Sequence, residues 1–197
     1  MKKLHLFVPL FLVFVITICA VSPVITKSED ISKKVFRLHI VANSNSQADQ
    51  TLKLRVRDKV LEYSKELYKN CNSSLEATEI TNNNIQSIKK LAQNTVAFNG
   101  YSYPVYAYTA NEYFNTRKYE GFTLPAGKYD CLKIIIGNGN GKNWWCVMFP
   151  SVCVNASTDE LDRALTPEER KMIESRGYAV RFKAVEIYEY LKAKADR

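Results

Sequence analysis

The sequence is poor in the residues on which most catalytic and metal sites depend. It has two histidines in 197 residues, and because one of them, His5, lies in an apolar N-terminal run, His39 is the histidine left outside that run. A structural zinc site needs four ligands, usually Cys and His, and the motifs HExxH, DxD and DTG do not occur. The sequence therefore favours a binding protein over an enzyme and predicts no metal and no cofactor.

Long runs of like charge are also missing. The formal net charge is +8, but it is spread along segments that also carry Glu and Asp, with no block of five like charges and no nucleic-acid-binding motif. This pattern predicts a soluble basic surface and no nucleic-acid partner. The alternative interpretation is attraction to a membrane surface with anionic lipid headgroups, or to cell-wall polymers.

The N-terminus has the pattern of an export signal. Lys2 and Lys3 precede the run LHLFVPLFLVFVITICAVSPVIT, which carries no charge until Lys27. The small residues around Ser22 offer a signal peptidase a cleavage site, while the length of the run, near the roughly 20 residues that span a bilayer, leaves a retained anchor as the alternative. We therefore divide the chain into a signal peptide or membrane segment (1–26), an exported α+β domain (27–155) and a C-terminal helical segment (156–197).

The first half of the exported domain predicts one strand and two helices. After a polar linker at Lys27 to Lys34, the stretch from Phe36 to Ile40 alternates in polarity, as a half-buried strand does. Helical periodicity follows from Ala48 to about Lys69. A capping box at Ser73 and Glu76 begins a second helix, which Asn99-Gly100 ends.

The second half predicts strands and then helices. Three stretches between Tyr101 and Phe149 are dense in Tyr, Phe, Val and Ile and are interrupted by turn residues. Beyond Cys153 the sequence is charged and helical. The predicted fold is α+β: an N-terminal strand and two helices, followed by an antiparallel β-sheet and a C-terminal helical segment.

The stretch GNGNGKNWWCVMFPSVC, from Gly137 to Cys153, is the most distinctive in the chain. A phosphate-binding loop would lead into a helix or a Lys-Ser/Thr pair, whereas here strand-forming residues follow. Repeated Asn-Gly between two β-rich runs indicates a hairpin turn instead. We predict a hairpin from Lys128 to Phe149.

The two tryptophans after this turn should lie on opposite faces of their strand. One of Trp144 and Trp145 would then pack in the core, and the other is a candidate receptor contact, together with Asn138 and Asn140 of the turn. The alternative is that the C-terminal helices cover the outer tryptophan.

The cysteines suggest a disulfide. Cys146 and Cys153 are separated by a strand end and Pro150, a spacing that lets the chain double back and bring the sulfurs together, and an exported domain is oxidised. Cys71 and Cys131 are the other cysteines of the exported part. An exported thiol enzyme built on Cys146 and His39, or a cell-wall hydrolase, is the alternative function.

Several motifs together resemble one family, stage II sporulation protein R of endospore-forming bacteria. The resemblance rests on FRLHIVANSNSQADQTLKLRVRD (Phe36 to Asp58), on LPAGKYDCLKIIIGNGNGKNWWCVMFPSVC (Leu124 to Cys153) and, more loosely, on VRFKAVE (Val180 to Glu186). The family pattern also carries the pair that matches Cys146 and Cys153, whereas Cys71 and Cys131 are not part of it.

The resemblance implies an intercellular signal. Proteins of this family are secreted from the forespore into the space between its two membranes. There they activate a membrane-embedded aspartic protease, which removes the pro-sequence of sigma E in the mother cell. The expected partner is therefore that protease, and the expected location is the intermembrane space, with anchoring at the N-terminus as an alternative.

Overall fold

The computed structural model describes residues 4–119, 121–150, 159–174 and 178–195. The elements in chain order are α1 (Leu4–Lys34), β1 (Phe36–Val41), α2 (Gln47–Leu67), α3 (Ser74–Phe98), β2 (Val105–Phe114), β3 (Arg117–Lys118), β4 (Thr123–Leu124), β5 (Gly127–Ile136), β6 (Asn143–Phe149), α4 (Asp159–Ala164), α5 (Pro167–Glu174) and α6 (Tyr178–Ala195). The fold is α+β and ends in a helical segment, which confirms the predicted class.

The chain divides into two compact units. One comprises Lys33–Glu112 and Lys128–Pro167 and contains the main sheet with helices α2 and α3. The other comprises Met1–Ser32, Tyr113–Gly127 and Glu168–Arg197 and contains most of α1, the short β3–β4 pair, α5 and α6.

The main sheet is mixed rather than antiparallel. Its order is β2-β5-β1-β6, and β1 runs parallel to β5 and antiparallel to β6. The predicted hairpin from Lys128 to Phe149 is therefore wrong, because β1 lies between the two strands that it would have joined. The local sequence does show where the chain turns, but it carries no information about a distant strand that inserts between the two arms.

Helices α2 and α3 cover one face of this sheet. Their inward side chains form one core with alternate residues of β1, β5 and β6; the members include Leu52, Val56, Val60, Ile88, Ala92, Val96, Leu38, Ile40, Leu132, Ile134 and Cys146. The helices begin at capping serines, since Ser46 Oγ accepts a hydrogen bond from the Asp49 N–H and Ser73 Oγ accepts one from the Glu76 N–H, each at 3.1 Å. Asn99 caps the end of α3, as the sequence predicted.

Strand β1 is buried along its whole length, which corrects the prediction of a half-buried strand. Its polar side chains are shielded by rings of the neighbouring strands. The Arg37 guanidinium carbon lies 4.8 Å from the centre of the Tyr129 ring, and the His39 ring stacks on Trp145. Polarity alternates along β1 because the strand is central, with different partners on its two faces.

The segment expected to be a polar linker, Lys27 to Lys34, is the last part of α1 instead. Ser28, Ile31 and Ser32 are buried, and the Ser28 and Ser32 hydroxyls donate to backbone carbonyls one turn earlier. A serine hydroxyl that donates to the backbone of its own helix has a hydrogen-bond partner, so it can be buried.

Candidate functional site

The glycine-rich loop, Gly137 to Lys142, crosses over the end of β1. Its backbone binds the turn that follows that strand: the Asn138 N–H donates to Asn43 Oδ1 at 2.9 Å, the Asn140 N–H to the Asn43 carbonyl at 3.1 Å, and the Gly141 N–H to the Ala42 carbonyl at 2.9 Å. The glycine-rich loop and the turn after β1 therefore meet at the end of this interior strand.

This crossing explains why the loop needs glycine. A Cβ on Gly141 would lie 2.3 Å from the Ser44 carbonyl oxygen, and a Cβ on Gly137 would lie 2.2 Å from Asn43 Oδ1. Gly137 also has a φ of +60°, which side chains disfavour. The glycines thus allow close backbone approach, and no phosphate-binding role is needed to account for them.

Asp49 holds the turn after β1 in place. Its carboxylate accepts hydrogen bonds from Asn43 Nδ2 at 2.9 Å and from Ser44 Oγ at 2.6 Å. Burial acts to raise the pKa of Asp49, but bonds from Ser44, Asn43, Tyr103 and Ser46 outweigh it, so the pKa lies below its ordinary value. A buried carboxylate thus fixes Asn43, which in turn fixes the glycine-rich loop.

The sheet face opposite α2 and α3 carries a row of aromatic and charged side chains. In the register of the strands, His39 of β1 lies beside Lys133 of β5 and Trp145 of β6. The His39 and Trp145 rings stack with centres 3.8 Å apart and planes 20° from parallel. On β2, Ala107 packs toward the core, so Tyr106 and Tyr108 point to the opposite side.

We call this set the aromatic face: Tyr106, Tyr108, Lys133, His39 and Trp145. Tyr106 is 52% exposed and Tyr108 41% exposed, while Lys133 and Trp145 are half-buried. Tyr and Trp combine a large contact area with a polar group, and they dominate the energetics of protein–protein interfaces. The face has the composition of a binding surface.

Glu112 joins the polar members of the aromatic face. His39 Nδ1 donates to Glu112 Oε2 at 2.7 Å, His39 Nε2 lies 2.9 Å from Asn143 Oδ1, and the Lys133 ammonium donates to Glu112 Oε1. Burial acts to raise the pKa of Glu112, but the bonds from Lys133 and His39 bring the pKa below its usual value. These contacts fix the His39 ring on which Trp145 rests.

Trp144 lies on the other side of the strand, against the helices. It packs on the core cluster, and the Arg57 guanidinium carbon of α2 lies 4.3 Å from the centre of the Trp144 ring system. Asn138 and Asn140, the other predicted contacts, are exposed on the loop. Of the four predicted contact residues, Trp144 thus packs on the core and Trp145 belongs to the aromatic face. The two asparagines lie on the glycine-rich loop, over the end of β1.

Sequence reasoning missed Tyr106, Tyr108, Glu112 and Lys133. The alternation in VYAYTANEYF was a usable signal, because it puts Tyr106, Tyr108 and Glu112 on one side of a strand. In the sequence His39 indicates a strand residue, a catalytic base or a metal ligand, and not a binding surface. Its place beside Trp145 depends on strand order, which the sequence does not reveal.

Cys146 and His39 do not form a nucleophilic site. Cys146 is in a disulfide and belongs to the core cluster on the helix side of the sheet, whereas His39 is on the opposite face. Burial raises the pKa of Cys131 to about 12, and Cys71 also has a free thiol. Cys153 lies outside the described residues, so its pairing with Cys146 stays a prediction.

The described residues contain neither a metal-binding cluster nor a helix suited to crossing a membrane. Across 4–119, 121–150, 159–174 and 178–195, no group of three or more His, Cys, Asp or Glu side chains is placed to hold a metal ion. Within the same part of the chain, no helix has the length and apolar character needed to cross a membrane.

Comparison with known proteins identifies the family. The family model described as stage II sporulation protein R matches residues 32–159. The chain belongs to the stage II sporulation protein R family. The matched segment extends from the end of α1 to the start of α4 and so contains the glycine-rich loop and the whole aromatic face.

A relative in the stage II sporulation protein R family supports the assignment. Stage II sporulation protein R of Bacillus subtilis (strain 168) is 36% identical over 123 residues, which is 62% of this chain and 55% of the relative. The match thus spans little more than half of the relative's length. No solved structure matches. The family membership supports a role in sporulation.

Proposed function

We propose that this protein is a secreted sporulation signal that activates a membrane-embedded aspartic protease, which then processes pro-sigma E in the mother cell. Membership of the family supports the sporulation role, and the resemblance described above supplies the protease and its substrate. The apolar run after Lys2 and Lys3 supports export from the forespore.

The observation that carries the proposal is the aromatic face beside the glycine-rich loop. A signal of this kind needs a surface that holds its shape before it meets its receptor, because ordering a loose surface on binding costs affinity. His39 is held by Glu112 and Asn143, and the loop is held by Asn43. The surface is therefore preorganised for contact.

The same surface gives a mechanism for activation. Trp145, Tyr106 and Tyr108 would contact a segment of the protease that is accessible only in its active arrangement. A ligand shifts an equilibrium between two states only by binding one of them more tightly. Tight aromatic contacts with the active state would thus raise its population, with no chemistry performed by the signal itself.

The alternative, an exported cell-wall hydrolase or thiol enzyme, is less well supported. The thiol enzyme required Cys146 to act with His39, but these side chains are on opposite faces of the sheet and Cys146 is in a disulfide. The thiol on His39's own side, Cys131, is buried with a raised pKa, which suppresses the reactive thiolate.

Co-expression tests the proposal. The full chain, the candidate protease and pro-sigma E are produced in a cell that lacks other sporulation proteins. We expect pro-sigma E to be cleaved only when all three are present, and not when the catalytic aspartate of the protease is replaced by asparagine. Cleavage that is independent of this chain, or no cleavage with all three present, would contradict the proposed function.

A further inference from the structure

Helix α6 has two apolar sides, and only one of them is buried. Phe182 and Val185 are buried. On the opposite side Ile187 is 58% exposed, Tyr190 65% and Leu191 59%. Apolar residues at spacings of three and four along a helix form one continuous stripe, and such stripes on a protein surface mark interaction sites.

The charges of α6 are divided between the same two sides. Lys183 and Lys194 are exposed and lie four residues before Ile187 and three residues after Leu191, so they extend the same stripe. Glu189 is buried, and Glu186 is half-buried and held by Lys183 and Thr116. The outer stripe, which comprises Lys183, Ile187, Tyr190, Leu191 and Lys194, therefore combines apolar and positive side chains without an exposed acid.

A contact within the same unit joins the N-terminal helix α1 to the side of α6 that faces away from the outer stripe. The Lys192 ammonium pairs with Glu29 Oε1 of α1 at 2.7 Å. Residues 4–26 of α1 carry the apolar run that predicts export or anchoring. Helix α6 also lies beyond residues 32–159, the segment that the family model matches, so that match does not account for its outer stripe.

We propose that the outer stripe of α6 binds the surface of a bilayer that contains anionic phospholipids. A helix that lies in the interface presents apolar side chains to the acyl chains, with lysines at its edge to meet negative headgroups. Tyrosine suits this depth because its ring is apolar and its hydroxyl polar. Contact between the stripes of two copies is disfavoured, because it would bring lysines of the same sign together.

The inference goes beyond the proposed function, because lipid binding needs neither the protease nor pro-sigma E. It would hold the signalling protein at the membrane in which its proposed receptor is embedded, which raises the effective concentration of one for the other. Failure of lipid binding would leave the cleavage experiment above unaffected, so the two claims can fail separately.

The test must report on α6 itself, because the apolar N-terminal run of the full chain can bind vesicles too. A Tyr190→Trp variant of the full chain is mixed with vesicles of brominated phosphatidylglycerol and phosphatidylcholine. The emission of the added tryptophan is obtained by subtracting the wild-type emission, measured under the same conditions, from that of the variant. Bromine quenches only a tryptophan that enters the acyl region, so we expect most of the added fluorescence to be lost. The matched control is Phe98→Trp at the end of α3, where the native side chain is 92% exposed, and it should keep its fluorescence.

Two further variants in the Tyr190→Trp background separate the apolar and charged contributions. Ile187→Ser with Leu191→Ser should abolish the quenching, and because both side chains are exposed the melting temperature should not change. Lys183→Gln with Lys194→Gln should raise the concentration of anionic vesicles needed for half-maximal quenching at position 190 by at least about tenfold, since lysines near an anionic surface strengthen binding to it. The proposal is wrong if position 190 is not quenched, if neutral phosphatidylcholine vesicles quench it equally, or if Phe98→Trp is quenched to the same extent.

Discussion

At the scale of single residues, the buried carboxylate of Asp49 connects segments that are distant in sequence. It fixes Asn43 and Ser44, and Asn43 in turn binds the glycine-rich loop through Asn138. One acidic side chain thus connects two segments that are almost a hundred positions apart. Such a link is invisible to pattern analysis, in which Asp49 is simply an acidic residue in the first turn of a helix.

Replacement of Asp49 should therefore change how stability depends on pH. Because the pKa of Asp49 is lower in the folded state, its contribution is complete above the unfolded pKa, about 4, and is lost as the pH falls through the folded pKa. We expect Asp49→Asn to lower the free energy of unfolding by about 1–2 kcal/mol at neutral pH and the difference from the wild type to shrink below about pH 4.

Denaturant unfolding of both proteins between pH 7 and pH 2.5 measures this difference. Asp58→Asn is the control, because Asp58 is on the same helix with its side chain 63% exposed, and its effect should be small throughout. A difference for Asp49→Asn that does not change with pH would contradict the assigned role of the carboxylate.

At the scale of elements, the sequence identifies helices and strands better than their arrangement. Helices α2 and α3 were predictable because local signals specify them: the serine caps and the apolar periodicity lie within the helices or next to them. The separation of β5 from β6 was not predictable, since β1 enters the sheet between them by a pairing that is non-local in sequence. The buried polar side chains of β1 escaped prediction for the same reason.

The glycine-rich loop gives an element-scale prediction with an internal control. Gly137 and Gly100 both have positive φ, +60° and +83°, so alanine introduces backbone strain of about 1–2 kcal/mol at either site. At Gly100 a Cβ meets nothing within 4 Å, whereas at Gly137 it collides with Asn43. We expect Gly137→Ala to destabilise the protein by at least about 1 kcal/mol more than Gly100→Ala does.

Thermal or denaturant unfolding of the two variants checks this comparison. Equal destabilisation would show that the glycine-rich loop does not depend on close contact with the turn after β1. The crossing of the loop over the end of the strand would then not explain its glycines.

At the scale of the whole molecule, we propose one surface for each of two partners. The aromatic face lies in the segment that the family model matches and is assigned to the protease, while the outer stripe of α6 lies beyond that segment and is assigned to lipid. The family could be recognised from the sequence because its motifs are contiguous. The aromatic face could not, because its members come from four strands whose order only the structure provides.

We propose that the aromatic face activates the protease, and separate Trp144→Ala and Trp145→Ala proteins test this most directly in the co-expression experiment. Trp144 packs against the core and Arg57, so its loss should lower stability by about 2–3 kcal/mol. Trp145 stacks on His39 at the surface, so its loss should cost about 1 kcal/mol.

Phe98→Ala, which removes an exposed aromatic residue far along α3, is the control and should signal normally. We expect Trp145→Ala to stay folded and to lose most pro-sigma E cleavage; a folded Trp145→Ala protein that supports cleavage as the wild type does would contradict this role of the aromatic face.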